Sequence, residues 1–124
     1  MNTNILSFFA ILLISCMSFA ESTEDALIKA AVNGDLDTVK TLFKSGKVDI
    51  NRAEGFYEMT ALHYALFYGG IHSQKEHCAV AKYLIKKNAR LDLKGGFHDR
   101  TAQDFIDLGY CREALSQKSG VILQ

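Results

Sequence analysis

Gly55-Phe56-Tyr57-Glu58-Met59-Thr60-Ala61 returns 41 positions later as Gly96-Phe97-His98-Asp99-Arg100-Thr101-Ala102. Both copies keep a glycine, a phenylalanine, an aromatic or imidazole ring, an acid and a Thr-Ala pair. Self-similarity at a period of roughly 20–50 residues marks stacked repeats, in which each unit buries its apolar side only against its neighbours. Such stacks present extended surfaces, so the repeat directs attention to a face that grips another macromolecule rather than to a catalytic pocket.

Working outward from the two copies, the apolar spacing predicts short helices in pairs. Thr60 precedes a helix over Ala61–Tyr68 that Gly69-Gly70 is expected to end. Residues 70–75 read as an insertion, and a longer helix over Lys75–Lys87 carries Val80, Ala81, Leu84 and Ile85 on one face. Upstream, Ser22-Thr23-Glu24-Asp25 has capping-box spacing for a helix over Asp25–Asn33, with Gly34 as its stop. A second helix from about Asp37 to Ser45 presents Val39, Leu42 and Phe43, and Gly46 ends it. Val48-Asp49-Ile50-Asn51 reads as an extended run leading into the turn at Gly55, and Ala89–Asp99 repeats that element. A third pair, Ala102–Leu108 and about Arg112–Gln117, closes the domain.

In register, Asp25-Ala26-Leu27, Thr60-Ala61-Leu62 and Thr101-Ala102-Gln103 are equivalent, as are Gly34, Gly69 and Gly109. Here the chain resembles the ankyrin repeat family. Thr60 to Gly69 (TALHYALFYG) is similar to that family's TPLHxAAxxG signature. Ala79 to Ala89 (AVAKYLIKKNA) and Thr38 to Gly46 (TVKTLFKSG) resemble its second helix. The departures are specific. Ala61 and Ala102 replace a proline, and Asn88 stands where glycine ends the second helix, a position Asn tolerates. Gln103-Asp104 replaces Leu-His, as suits a terminal unit whose outer side meets water. The resemblance implies an all-α solenoid of three helix-turn-helix units with hairpin-like connecting turns, at about residues 25–59, 60–100 and 101–117.

The first 20 of the 124 residues stand apart from this pattern. Ile5–Met17 is almost wholly apolar and Ser18-Phe19-Ala20 puts small residues at a cleavage site. The stretch is short against the about 20 apolar residues of a membrane span, so it reads as a secretory signal peptide removed after Ala20. Export to a periplasm follows as the expected location, with no membrane span. Leu13-Ile14-Ser15-Cys16 also resembles a lipoprotein box, which would tether the protein to a membrane through Cys16. Every charged residue lies beyond this segment, and 14 Lys and Arg balance 14 Asp and Glu. A neutral domain without a basic stripe has no field to attract a polyanion, so nucleic acid is not an expected partner. Lys40, Lys44, Lys82, Lys86 and Lys87 read as a solvated outer face.

Candidate functional residues divide by role. By resemblance, His63 is structural, its ring bonding to the backbone and the threonine hydroxyl of the turn. His72, His77 and Cys78 cluster around the insertion, but zinc wants three or four ligands at regular spacing, so the segment reads as a solvated loop. Cys78 and Cys111 are equivalent in the repeat register, which places them about 8–10 Å apart, whereas a disulfide needs Cα atoms within about 7 Å. A bridge closed by the insertion and the shortened third unit, and two buried free thiols, both remain open.

The concave side of such a stack maps to Tyr57, Met59, Tyr64, Phe67 and Tyr68, extended by Phe97, His98 and Arg100 at the next tip and by Phe105. Tyr, Met, Phe and Arg are the types enriched in interface cores. Phe56 and Phe97, being identical in both turns, read as residues that seal one unit to the next. The resulting expectation is a non-catalytic protein-binding module without cofactor, either an immunity or inhibitor protein or an accessory partner of an envelope enzyme. The rival is a small metal-dependent or hydrolytic enzyme built on His72 and His77. The chain offers it no paired carboxylates, nucleophile motif or phosphate-binding glycine loop.

Overall fold

The computed structural model describes residues 21–116. The expected signal peptide over residues 1–20, Cys16 with it, and Gln117 lie outside the described residues. Among the described residues no helix is long and apolar enough to cross a membrane.

Among the described residues six helices follow one another two by two: α1 (Thr23–Asn33) packs on α2 (Leu36–Lys44), α3 (Ala61–Ile71) packs on α4 (Lys75–Lys86), and α5 (Ala102–Asp107) is followed by α6 (Arg112–Ser116). The pairs stack so that α1, α3 and α5 make an inner row and α2, α4 and α6 an outer one. The architecture is the all-α helix-turn-helix repeat stack that the sequence predicts. Local chemistry sets the boundaries. The hydroxyl of Ser22 accepts from the Asp25 N–H at 3.1 Å, and the Asp35 carboxylate accepts from the Thr38 N–H at 3.1 Å. Each satisfies a donor that a helix start would otherwise leave unpaired. Gly34 closes α1 in the left-handed conformation (φ 68°), and Asn88 takes the same conformation after α4 (φ 69°).

One boundary differs in an informative way. Gly69 and Gly70 do not end α3, which continues to Ile71. A Cβ on Gly69 would meet the Cys78 and Cys111 sulfurs at 2.5 and 2.6 Å, and one on Gly70 would strike the Tyr110 ring. These glycines make room for neighbours rather than for a turn. The equivalence with Gly34 and Gly109 therefore fails, since both of those have positive φ.

Two hairpin tips project from the inner side of the stack. In the first, Glu54 and Met59 bridge antiparallel. In the second, β1 (Lys94–Gly95) pairs with β2 (Arg100–Thr101), Lys94 opposite Thr101 and Gly95 opposite Arg100. Gly55 (φ 80°) and Gly96 (φ 84°) bend the tips where an L side chain is strained. Val48–Asn51 forms no strand; the Asp49 N–H instead donates to the Glu24 carboxylate at 3.1 Å.

The core runs through the inner row into the outer one. Leu27, Leu62, Leu66, Val39, Val80, Leu84 and Leu115 are fully buried. Helix α3 has neighbours on both sides, and its sequence is accordingly apolar almost all round. Full burial of a leucine such as Leu66 contributes about 1.5–3 kcal/mol.

Candidate protein-binding face

Position 63 organises the inner face. His63 is fully buried, and its Nδ1 accepts from the Thr60 N–H at 3.1 Å, with the Thr60 hydroxyl 2.8 Å away. Because Nδ1 is the acceptor, Nε2 carries the proton and donates to the Arg100 carbonyl at 3.1 Å. One ring thus caps α3 and ties it to the next hairpin. Burial holds its pKa below the ordinary value, so the ring is kept neutral. The third unit places Asp104 at the same position, where its carboxylate accepts from the Thr101 N–H at 2.8 Å.

That tie sets the second tip beside the first. The Gly96 N–H donates to the Tyr57 carbonyl at 2.7 Å, and Gly95 lies against the Glu58 carbonyl so closely that a Cβ would meet it at 2.5 Å. Met59 is buried between them. Backbone contact, one methionine and the Tyr57–Phe97 ring contact at 5.1 Å therefore join the tips. The expectation that Phe56 and Phe97 seal the units is overturned: they are 93% and 79% exposed. Identity between copies was a poor guide to burial here, because both phenylalanines leave a glycine that turns the chain outward.

Between the tips and the inner helices lies a cleft of about 570 Å3. Tyr57, Met59, Tyr64, Phe67, Tyr68, Phe97, His98 and Arg100 all line it. Helix spacing explains the convergence: Phe67 and Tyr68 follow Tyr64 by three and four residues and precede Ile71 by four and three, so all four share one side of α3. Phe67 meets Tyr68 edge-on at 5.4 Å and Phe105 at 6.5 Å, and Phe105 lies 5.2 Å from Tyr110. Burial first, then the neighbouring Tyr68 and Glu54, raise the Tyr64 pKa, so its hydroxyl stays a proton donor. The cleft is thus an aromatic wall edged by phenols, one guanidinium and one imidazole.

Ile71 and Tyr110 also line the cleft, and sequence reasoning missed both. Ile71 falls within the expected insertion because the glycines before it read as a stop, whereas it is the last residue of α3. Tyr110 enters through the bridge beside it. Cys78 and Cys111 are joined by a disulfide with Cα atoms 5.4 Å apart. The separation falls below the interval between equivalent helix positions because Cys111 sits in the turn before α6 at φ 57°.

His72 and His77 do not share a site. His72 is the exposed C-cap of α3, stacked on Tyr68 at 6.1 Å. His77 belongs to no solvated loop: it is buried in the first turn of α4, and Nε2 donates to the Val32 carbonyl at 2.7 Å. The ring packs where Gly34 leaves no side chain, a contact between units that residue spacing does not reveal. Among the described residues no cluster of three or more His, Cys, Asp or Glu side chains is arranged to hold a metal. On the outer face, Lys40 and Lys87 bracket the Tyr83 ring at 5.8 and 5.6 Å, while Lys44 and Lys86 are exposed and Lys82 is half-buried.

A family model described as ankyrin repeats (3 copies) matches residues 2–95 of this chain. No curated protein matches it. The match ends within the second hairpin, and beyond it α5 stacks on α3 and α6 on α4.

Proposed function

The chain belongs to the ankyrin repeat family, whose repeats generally serve as protein–protein interaction modules, and from that premise we propose that it is a non-catalytic binding protein whose partner seats in the aromatic cleft. The observation that carries this reading is the gathering of Tyr57, Tyr64, Phe67 and Tyr68 along one open cleft with Arg100 at its edge. Large rings with polar tips supply contact area at small entropic cost, and such residues dominate binding energy at interfaces. His63 contributes by positioning, since it holds the Arg100 backbone rather than facing the cleft.

The apolar segment 5–17 and the small residues before Glu21 support export, with the periplasm as the compartment and a Cys16 lipid tether as the alternative. In that setting two roles fit a small binding domain: an immunity or inhibitor protein that covers a toxin or lytic enzyme, or an accessory partner of an envelope enzyme. Peptide sequencing of the protein recovered from an envelope fraction tests the location. A mature start at Glu21 supports soluble export, and an unprocessed Met1 overturns it.

The binding reading is tested by double substitution. Tyr64→Ala with Tyr68→Ala should weaken capture of a partner identified by pull-down from envelope extract by at least about 2 kcal/mol, with an unchanged helical circular dichroism signal. Unaltered affinity would move the site off this cleft.

A further inference from the structure

Two features of the repeated motif stay outside the buried core. Both tips keep a phenylalanine followed two residues later by an acid, Phe56 with Glu58 and Phe97 with Asp99. The fold needs the glycines for the turns, but it buries neither phenylalanine. Exposed phenylalanine side chains at both tips contribute nothing to the core, so their recurrence asks for another cause.

The surroundings supply one. Tyr57 stands between the two rings, edge-on to Phe56 at 5.3 Å and tilted against Phe97 at 5.1 Å. Its carbonyl holds the opposite tip through Gly96, which sets the spacing of the rings. Phe56, Tyr57, Phe97, Glu58 and Asp99 line a hollow of about 330 Å3 next to the main cleft. Glu58 (φ 48°) and Asp99 (φ 51°) occupy matching left-handed positions at its rim. Neither acid makes an ion pair among the described residues, where Arg52 pairs with Glu24 and Glu54, and Arg90 with Asp92. The cation–ring contacts among the described residues involve Tyr83 on the outer face. The guanidinium of the second tip, Arg100, and the His98 imidazole line the main cleft and not the hollow.

We propose that this hollow receives an arginine side chain of the protein partner. Three aromatic rings with two unpaired carboxylates are the complement of a guanidinium, which stacks on ring faces and is held at its edge by carboxylates. The proposal rests on the reading that this side of the stack binds protein, and it adds the chemistry of one partner residue. The two neighbouring sites then differ in sign: the cleft presents a cation at its edge and the hollow presents anions.

The test is a chemical-shift titration of the full chain with three blocked tripeptides, acetyl-Gly-X-Gly-amide, where X is arginine, norleucine or glutamate. The arginine peptide should shift the amides of residues 55–59 and 96–100 saturably and bind about fivefold tighter than norleucine, the advantage shrinking as salt rises. The glutamate peptide should leave these amides unmoved. Phe56→Ala with Phe97→Ala, both at exposed positions, should abolish the shifts. Glu58→Gln with Asp99→Asn should reduce arginine binding to the norleucine level. Equal binding of arginine and norleucine, or full arginine binding by the Glu58→Gln, Asp99→Asn variant, would overturn the proposal. The outcome is separable from that of the binding-face reading. If the tripeptide fails while the Tyr64/Tyr68 variant still loses its partner, the arginine assignment falls and the face stands. If the tripeptide binds as described while that variant keeps its partner, the hollow stands and the cleft falls.

Discussion

The second and third repeat units share a motif but are held in place differently. The second has helices of 11 and 12 residues, with α3 between α1 and α5 and α4 between α2 and α6. The third opens on a helix of 6 residues and, among the described residues, has a neighbour on one side only. A unit with neighbours on both sides is stabilised by two interfaces. To the one interface that the described residues give the third unit, a covalent link is added. The Cys78–Cys111 bridge fastens the turn ahead of α6 to the first turns of α4, and with it come Tyr110 and, packed on Tyr110, Phe105. Both rings line the cleft, so the stability of the third unit and the shape of the cleft are linked.

The largest expected effect breaks that asymmetry directly. The bridge spans a sequence separation of 33 residues, and the chain-entropy relation gives about 3–4 kcal/mol for a loop of that length. Cys78→Ala with Cys111→Ala should therefore lower stability by about that amount in denaturant melts. Hydrogen exchange should show the loss of protection concentrated in residues 94–116, with α1 to α4 much less affected. Loss spread evenly over all three units would mean that the third unit does not depend on the bridge more than the rest.

A smaller effect sharpens the same contrast. Gly69→Ala adds a methyl where the two sulfurs stand 2.5 and 2.6 Å away, and overpacking of this kind costs about 1–3 kcal/mol. In the bridge-less double variant the obstacle is smaller. There Gly69→Ala should become neutral or stabilising by up to about 1 kcal/mol, because alanine is the better helix residue inside α3. A double-mutant cycle measures the difference. Additive costs would show that Gly69 is required for something other than the bridge.

The two units also show what a sequence can and cannot disclose. Helix pairs and their order are legible because apolar spacing, Thr caps and left-handed glycines act within a few residues. The gathering of Tyr64, Phe67 and Tyr68 on one face is legible for the same reason, since helical phase fixes it once Thr60 is taken as the start. Gly69-Gly70 was misread because a glycine that ends a helix and one that admits a neighbour look alike in sequence. His77 was misread because its partner, the Val32 carbonyl, belongs to another unit 45 residues away. Phe56 and Phe97 were misread because recurrence reports selection on a position without saying whether the side chain faces inward.

The finest test exploits a single equivalent position. His63 in the second unit and Asp104 in the third both accept from the N–H of the capping threonine, and both have folded pKa values below their ordinary ones. Burial lowers His63, and hydrogen bonds from Thr101 lower Asp104. For His63 the neutral ring is the form the fold favours. Its stabilisation is complete above the ordinary value of 6.5 and is lost as pH falls from there through the folded value. For Asp104 the ionised carboxylate is favoured, so its contribution is complete above 3.8 and is lost below that. Stability measured against pH should therefore fall in two separate windows. His63→Gln should flatten the upper window and leave the lower, whereas Asp104→Asn should do the reverse. If His63→Gln leaves the slope below pH 6.5 intact, the ring that links α3 to the second hairpin is not the group that titrates.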